Sequence, residues 1–401
     1  MKILVVKDKA TRRDFLNVVD KIYANDPCYV RPLDKDINNV FNPNYNVFYN
    51  NGDAVRFILL DESNVVLGRI AAFINEKKAY GFDQPTGGLG FFECIDDKKA
   101  AFMLFDAGVE WLKGKGMEAA DGPINFGEND NFWGLLVEGF TDPTYGMQYN
   151  PPYYKQFYEA YGFETYFEQV TNRLDVKKPF PERFWKIAEW IGKKPEYEFR
   201  PFSWKKEGQF IDDFIEVYND AWRFHENFTP LDVKKVRVSF KKAKPIVIQD
   251  LIWFAYYKGE PIGFIIMYPD VNQILKNFNG KMNLLNKIRF LWLKHKKAMT
   301  RTRVIILGVK PKYQKSGVES GIFYHLRDAV YSREWINEME LSWVGDFNPK
   351  MRALQDSMGA EFAKKHITYR LIFDVNKRKK VRATSIPRDS RERVHEMSDN
   401  K

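Results

Sequence analysis

Hydrophobic residues follow two alternating rhythms along the chain. Short β-branched and aromatic runs, such as Val304, Ile305, Ile306 and Leu307, predict strands. Longer stretches in which apolar residues recur every three or four positions, such as Ile322, Leu326 and Ala329, predict helices. GDAVRFILLDESNVVLGRIAAFIN (52–75) and DLIWFAYYKGEPIGFIIMYPDVN (250–272) both read as strand–turn–strand, each with a Gly opening the second strand. Those glycines, Gly68 and Gly263, are 195 positions apart. YKQFYEAYGFE (154–164) and MRALQDSMGAEF (351–362) are helices running into Gly162 and Gly359, which are 197 apart. Between these anchors the first half predicts a strand at 88–96, a helix at 100–114 and a strand at 117–125. The second half repeats that order at 304–309, 320–332 and 339–344. Two nearly equal offsets predict two copies of one α/β (α+β) unit.

With 401 residues, 44% of them hydrophobic, there is material for two sizeable cores. The predicted domains are 1–175 and 201–375. Between them 176–200 reads as a linker, because Pro179, Pro181 and Pro195 interrupt aromatic and Lys-rich sequence. Residues 376–401 are polar and charged without apolar periodicity, which predicts a disordered basic tail.

The net charge of +10 is unevenly spread: residues 271–318 hold twelve Lys or Arg and no Asp or Glu, so the rest of the chain sums to −2. Within that block, KMNLLNKIRFLWLKHKK (281–297) sets Leu284, Leu285, Ile288, Leu291 and Trp292 at helical spacing among basic residues. Such a helix suits an anionic membrane interface, a lid over a lipid substrate, or a core-packed stripe. Phe290 and Leu293 widen its apolar face and favour a contact beyond the core. No apolar run approaches the roughly 20 residues needed to span a bilayer, so membrane contact would be peripheral. Nucleic acid is disfavoured, since no helix-turn-helix or zinc pattern accompanies the charge. Cys28 and Cys94 show no pairing or metal spacing, no metal site is expected, and MKILVVKDKATRRDF is too charged for a signal peptide. A cytoplasmic setting fits.

Residues 303–326, RVIILGVKPKYQKSGVESGIFYHL, give a strand, a Val-x-Pro turn, a short Gly-containing loop and an apolar helix. That order aims the free N–H groups and positive dipole end of a helix at one point, which suits a pyrophosphate. Val309, Pro311, Tyr313, Gln314 and Gly317 resemble the acyl-CoA-binding motif of the GNAT superfamily of N-acyltransferases. Lys315 stands where the first Gly of that pattern is usual, and Glu319 stands at its last Gly/Ala position. The order of elements in each half is similar to the GNAT unit, so the resemblance covers nearly the whole chain as a tandem. It implies two GNAT-like domains, each a mixed, mostly antiparallel sheet flanked by helices. The first copy lacks the loop, and the resemblance leaves it bracing the second and walling the acceptor side. Phrases such as GRIAAFIN, DGPINF, NPPYY and ELSWVGDFN resemble bacterial tandem GNAT proteins, some of which act on lipid-like amines such as sphingoid bases.

The resemblance implies acyl transfer from acyl-CoA to an amine acceptor. Gly308, Val309, Gln314, Lys315, Ser316, Gly317 and Val318 would hold the donor, with backbone N–H groups of Gly308 and Val309 polarising the thioester oxygen. The base that deprotonates the amine falls to Asp270, at the end of the second hairpin strand, or to Glu340. Asn348 matches an Asn of the family pattern and equally suits a helix cap before Pro349. Gln355 stands where the family's acidic Tyr is usual, leaving Tyr369 or Tyr313 to substitute. A non-catalytic acyl-CoA- or lipid-binding protein, and an acyltransferase fed by acyl carrier protein, remain as rivals.

Overall fold

Both halves of the sequence lay down their elements in one order. The computed structural model describes residues 1–81, 84–129, 131–223, 230–314, 316–374 and 376; the predicted tail beyond 376 lies outside the described residues. The first half runs β1 (Lys2–Val5), α1 (Lys9–Ile22), α2 (Asp34–Val40), β2 (Gly52–Leu60), β3 (Val66–Asn75), α3 (Glu76–Ala79), β4 (Thr86–Cys94), α4 (Lys98–Gly114), β5 (Ala119–Gly122), β6 (Leu135–Glu138), α5 (Tyr154–Tyr161) and β7 (Glu164–Asp175). The second runs α6 (Glu182–Gly192), β8 (Tyr197–Pro201), α7 (Glu207–Trp222), α8 (Val233–Ala243), β9 (Ile252–Tyr257), β10 (Glu260–Pro269), α9 (Asn272–Leu275), α10 (Leu284–His295), β11 (Arg301–Val309), α11 (Val318–Tyr331), β12 (Glu338–Glu340), β13 (Val344–Gly345), α12 (Pro349–Ser357) and β14 (Glu361–Ile372).

The chain folds as two units, and these are not two consecutive stretches of sequence. One comprises Met1–Gln169, Ile274–Trp292 and the final strand from Lys364; the other comprises Val170–Gln273 and Leu293–Ala363. The first unit's sheet is ordered β1-β2-β3-β4-β5-β14, and the second's β8-β9-β10-β11-β12-β7. Each has a parallel ladder three residues long: Thr86, Gly87 and Gly88 beside Ala119, Ala120 and Asp121, and Arg301, Thr302 and Arg303 beside Glu338, Met339 and Glu340. Gly68 lies opposite Cys94, and Gly263 opposite Val309. These registers make Cys94 and Val309 equivalent positions.

The final strands are exchanged. β7 follows the first half's last helix yet pairs with β12, Asp175 opposite Glu338. β14 follows the second half's last helix yet pairs with β5, Tyr369 opposite Gly122. Each half therefore lends its closing strand to the other half's sheet.

The stretch expected as a linker holds α6, which buries Phe184, Ala188 and Ile191. Pro181 immediately precedes that helix and Pro195 follows it, so these prolines punctuate a helix.

The excursion Ile274–Trp292 packs within the first unit. The Gly280 carbonyl accepts the Asp34 N–H at 2.8 Å, and Lys276 Nζ donates to Asp142 at 2.6 Å. On α10 only Phe290 is buried, whereas Leu284, Leu285, Ile288, Leu291 and Trp292 are 57 to 76% exposed. The apolar stripe seen in the sequence thus faces away from the core. Among the described residues no helix is long and apolar enough to cross a membrane.

Candidate functional site

In the second unit β11 and β12 part company after their short parallel ladder, while β11 stays paired with β10 as far as Val309. The Lys310 N–H donates to the Ile262 carbonyl at 2.9 Å. Because the pleat alternates the direction of successive amides, Gly308 faces β10 as Lys310 does. Val309 faces the opening. Its carbonyl accepts the Gln314 side-chain amide there at 3.1 Å. Of the two amides expected to polarise a thioester, the register leaves Val309 on the open side and commits Gly308 to the sheet. Gly308 is small for a separate reason: a Cβ there would come within 2.6 Å of the Trp222 ring.

After Val309 the chain makes one 3-10 turn at Pro311–Tyr313, where the Ser316 hydroxyl donates to the Tyr313 carbonyl at 2.6 Å. Gly317, at φ +89°, then starts α11, and Val318 is fully buried beneath it. A left-handed φ at this point favours Gly. The space that its missing side chain leaves is not open, because a Cβ on Gly317 would sit 3.2 Å from Ile187 of α6. Glu319 lies in the first turn of α11. Lys315 lies outside the described residues.

The expected bases gather at the other end of β11. Asp270 accepts from Nε and Nη2 of Arg301 at 3.0 and 2.7 Å and is buried completely. Burial raises its pKa against the pull of Arg301, and the Glu340 charge adds to the rise. Glu340, also buried, ends β12 beside Arg303, where the two strands part. Arg301 and Val309 are eight residues apart on one extended strand, which is on the order of 25 Å. The carboxylates are therefore assembled with Arg301 and stand well away from the helix start. Sequence reasoning missed Arg301, which was visible only as one charge in a basic block.

Two further expected residues are spent locally. The Asn348 side chain accepts from the Met351 N–H at 3.2 Å and caps α12. Tyr369 belongs to the first unit's sheet and donates to Glu159 at 3.2 Å. Gln355 is buried, accepting from Asn172 Nδ2 at 2.8 Å and donating to the Ser342 carbonyl at 3.2 Å. Tyr313 packs beside Tyr257, ring centroids 5.5 Å apart.

The first unit treats the equivalent opening differently. The Cys94 N–H, matching that of Val309, donates to the Tyr154 hydroxyl at 2.7 Å, and the Cys94 carbonyl accepts from the Tyr153 hydroxyl at 2.8 Å. Tyr154 in turn donates to Glu93 at 2.9 Å, as Tyr23 does at 2.7 Å. Glu93 lies opposite Arg69 and is wholly buried, which raises its pKa. Ile124 also closes the gap through its N–H on the Leu89 carbonyl at 2.9 Å. Two tyrosines from the NPPYY phrase thus plug the first unit's opening. Only the strand register reveals that function.

The paired sheets with an opened parallel ladder in each are those of the tandem GNAT fold. A tandem GNAT protein from the clavulanic acid biosynthesis pathway superposes with a TM-score of 0.55 at 9% identity, covering 93% of this chain and 98% of that one. A GCN5-related glucosamine N-acetyltransferase region of a fungal GH3 β-N-acetylglucosaminidase also gives 0.55, at 11% identity over 92% of this chain and 38% of the other. No family model matches. In sequence the chain is 27% identical over 379 residues to the bacterial ceramide synthase of Caulobacter vibrioides, covering 92% of this chain and 97% of the relative. It is 25% identical over 373 residues to the protein YghO of Escherichia coli, covering 90% and 93% respectively.

Proposed function

We propose that this chain is an N-acyltransferase that moves an acyl group from a thioester, acyl-CoA, onto a lipid-like amine at the opening of β11. The observation that carries the reading is the Val309 amide, turned toward the opening in the unit where, among the described residues, no tyrosine hydroxyl takes the equivalent amide. The full-length likeness to a relative named for ceramide synthesis supports a lipid-like acceptor. In this mechanism Val309 N–H stabilises charge growing on the thioester oxygen. An alkylamine has a pKa of about 10 and must shed a proton before attack. Glu340 lies opposite Arg303, about 20 Å along β11 from Val309, so the amine gives its proton to water at the opening, while Glu340, Asp270 and Arg301 fix the charge at the far end of the strand. The amine nitrogen then bonds to the carbonyl carbon, the C–S bond breaks, and the thiolate leaves and is protonated by solvent. A cytoplasmic protein meeting an anionic membrane through residues 281–297 would find its acceptor at that surface.

A second reading has observations in its favour. Ile187 fills the space beside Gly317, and Glu319 puts a carboxylate in the first turn of α11. Both disfavour coenzyme A phosphates at this helix. A carrier protein would then present the acyl group, or the chain would bind an acyl group without transferring it.

Thermal shift with coenzyme A, acetyl-CoA and palmitoyl-CoA, followed by turnover assays with a long-chain amine, separates these. A ligand at 100 times its Kd adds about 2.7 kcal/mol, so palmitoyl-CoA should raise Tm clearly and support N-acylation. Absence of any shift, with turnover on acyl carrier protein, would replace the first reading with the second. Absence of turnover from either donor would leave the binding role.

A further inference from the structure

The first unit contains a cleft of ≈ 770 Å³ bounded by α1, α2, β2 and the start of the Ile274–Trp292 excursion. Lys9, Arg12, Arg13, Arg56 and Lys281 line it, with Phe41 as an apolar wall. Its one carboxylate, Asp34, is already held by Arg31 at 2.8 Å. Arg56 is the group that asks for a ligand. β2 carries it inward, where its guanidinium carbon lies 4.7 Å from the Phe41 ring centroid and 5.3 Å from that of Phe15. Its Nη1 is buried with no hydrogen-bond partner among the described residues. Burial, with Arg12 and Arg69 nearby, presses its pKa down to about 10. A buried guanidinium nitrogen without an acceptor is costly unless something occupies the site.

We propose that this cleft binds a phosphate monoester, Arg56 reaching its oxygens from the floor while Arg12, Arg13 and Lys281 close on them from the rim. Guanidinium groups suit phosphate oxygens because they donate in a planar fork. Lys281 is also three residues before Leu284, the first exposed apolar residue of α10. A phosphate in the cleft can therefore leave its hydrocarbon beside an apolar helix face. The phosphate can come from a bilayer lipid or from a soluble phosphate ester.

Calorimetric titration of the full chain with dihexanoyl phosphatidic acid, dihexanoyl phosphatidylcholine and glycerol 3-phosphate tests this without any acyl donor, so its failure leaves acyl transfer standing. Phosphatidic acid should saturate one site, compete with inorganic phosphate and outbind phosphatidylcholine. Arg56→Gln should weaken it by roughly ten-fold or more, the worth of a charge-assisted hydrogen bond. Because Arg56 also packs between rings, the exposed pair Arg13→Gln and Lys281→Gln provides a second test, expected to weaken binding without lowering Tm. Glycerol 3-phosphate binding as tightly as the lipid would assign a soluble ester, and much weaker binding a lipid headgroup. Equal affinity for phosphatidylcholine, no saturable binding, or variants that bind like the native chain would overturn the proposal.

Discussion

Asp270 and Arg301, 31 residues apart in sequence, form a two-pronged ion pair at the outer end of β10 and β11. Removing one partner from such a buried pair costs about 3–5 kcal/mol, whereas replacing both with apolar residues of similar size is often tolerated. Asp270→Asn should therefore lower the denaturant midpoint markedly, and Asp270→Leu with Arg301→Met should recover much of it. An unchanged midpoint, with kcat per folded molecule reduced a hundred-fold or so, would instead make Asp270 the base.

The two openings should answer differently to loss of a single hydroxyl or amide. Tyr154→Phe removes the acceptor for Cys94 N–H and a donor to buried Glu93, at an expected cost of about 1–3 kcal/mol in stability with kcat/KM retained. Gln314→Leu frees the Val309 carbonyl and should lower kcat/KM several-fold, about 1 kcal/mol, with Tm nearly unchanged. Unfolding curves and kinetics on both variants check the contrast. The reverse pattern would move the acyl site to the first unit.

Glu319 can be tested by gain of binding. If coenzyme A phosphates meet the start of α11, Glu319→Gln removes an opposing charge worth about 0.3–1 kcal/mol at a helix terminus. The Kd for acyl-CoA should fall roughly two- to five-fold, read by fluorescence or calorimetry. An unchanged Kd would place the phosphates elsewhere.

The exposed stripe of α10 separates membrane contact from folding. Leu285→Glu with Trp292→Glu should leave Tm within about 0.5 kcal/mol equivalent, as surface changes usually do. The same pair should abolish co-sedimentation with vesicles of phosphatidylglycerol and phosphatidylcholine. The native chain should lose its vesicle binding as salt rises. Vesicle binding that survives both charges would remove α10 from the interface.

His325 supplies a pH test of the second unit. It stacks between Phe199 and Trp253, ring centroids 4.7 and 5.4 Å away, and burial lowers its pKa below the usual value near 6.5. The unfolded chain thus binds more protons than the folded one just below pH 6.5. This stabilisation is complete above about 6.5 and is lost as pH falls through the folded pKa. His325→Phe should flatten the acid side of a Tm-against-pH curve. An unchanged slope would assign it to other groups.

What the sequence made visible was local. Gly68, Gly263 and the helices ending before Gly162 and Gly359 revealed the repeat, because hairpin alternation and helix stops are written within a few residues. The Val-x-Pro turn likewise led to the Val309 opening. Partners distant in sequence were hidden: β7 and β14 share an alternating pattern and either would suit either sheet edge. The prolines around α6 looked like a linker because a helix bounded by Pro181 and Pro195 leaves little periodicity to see. Arg301 and the Tyr153–Tyr154 plug required the register before their contacts had meaning.

The strand exchange also sets a timetable on the ribosome. β5 is complete at Gly122, yet its neighbour Tyr369 is made 247 residues later. At about 5–20 residues per second, the nascent first sheet waits roughly ten seconds to a minute with that edge unsatisfied. A gene cut between the halves would leave each fragment carrying the strand that the other needs. Co-expressed fragments should therefore be recovered together, while either fragment alone should aggregate through its open edge.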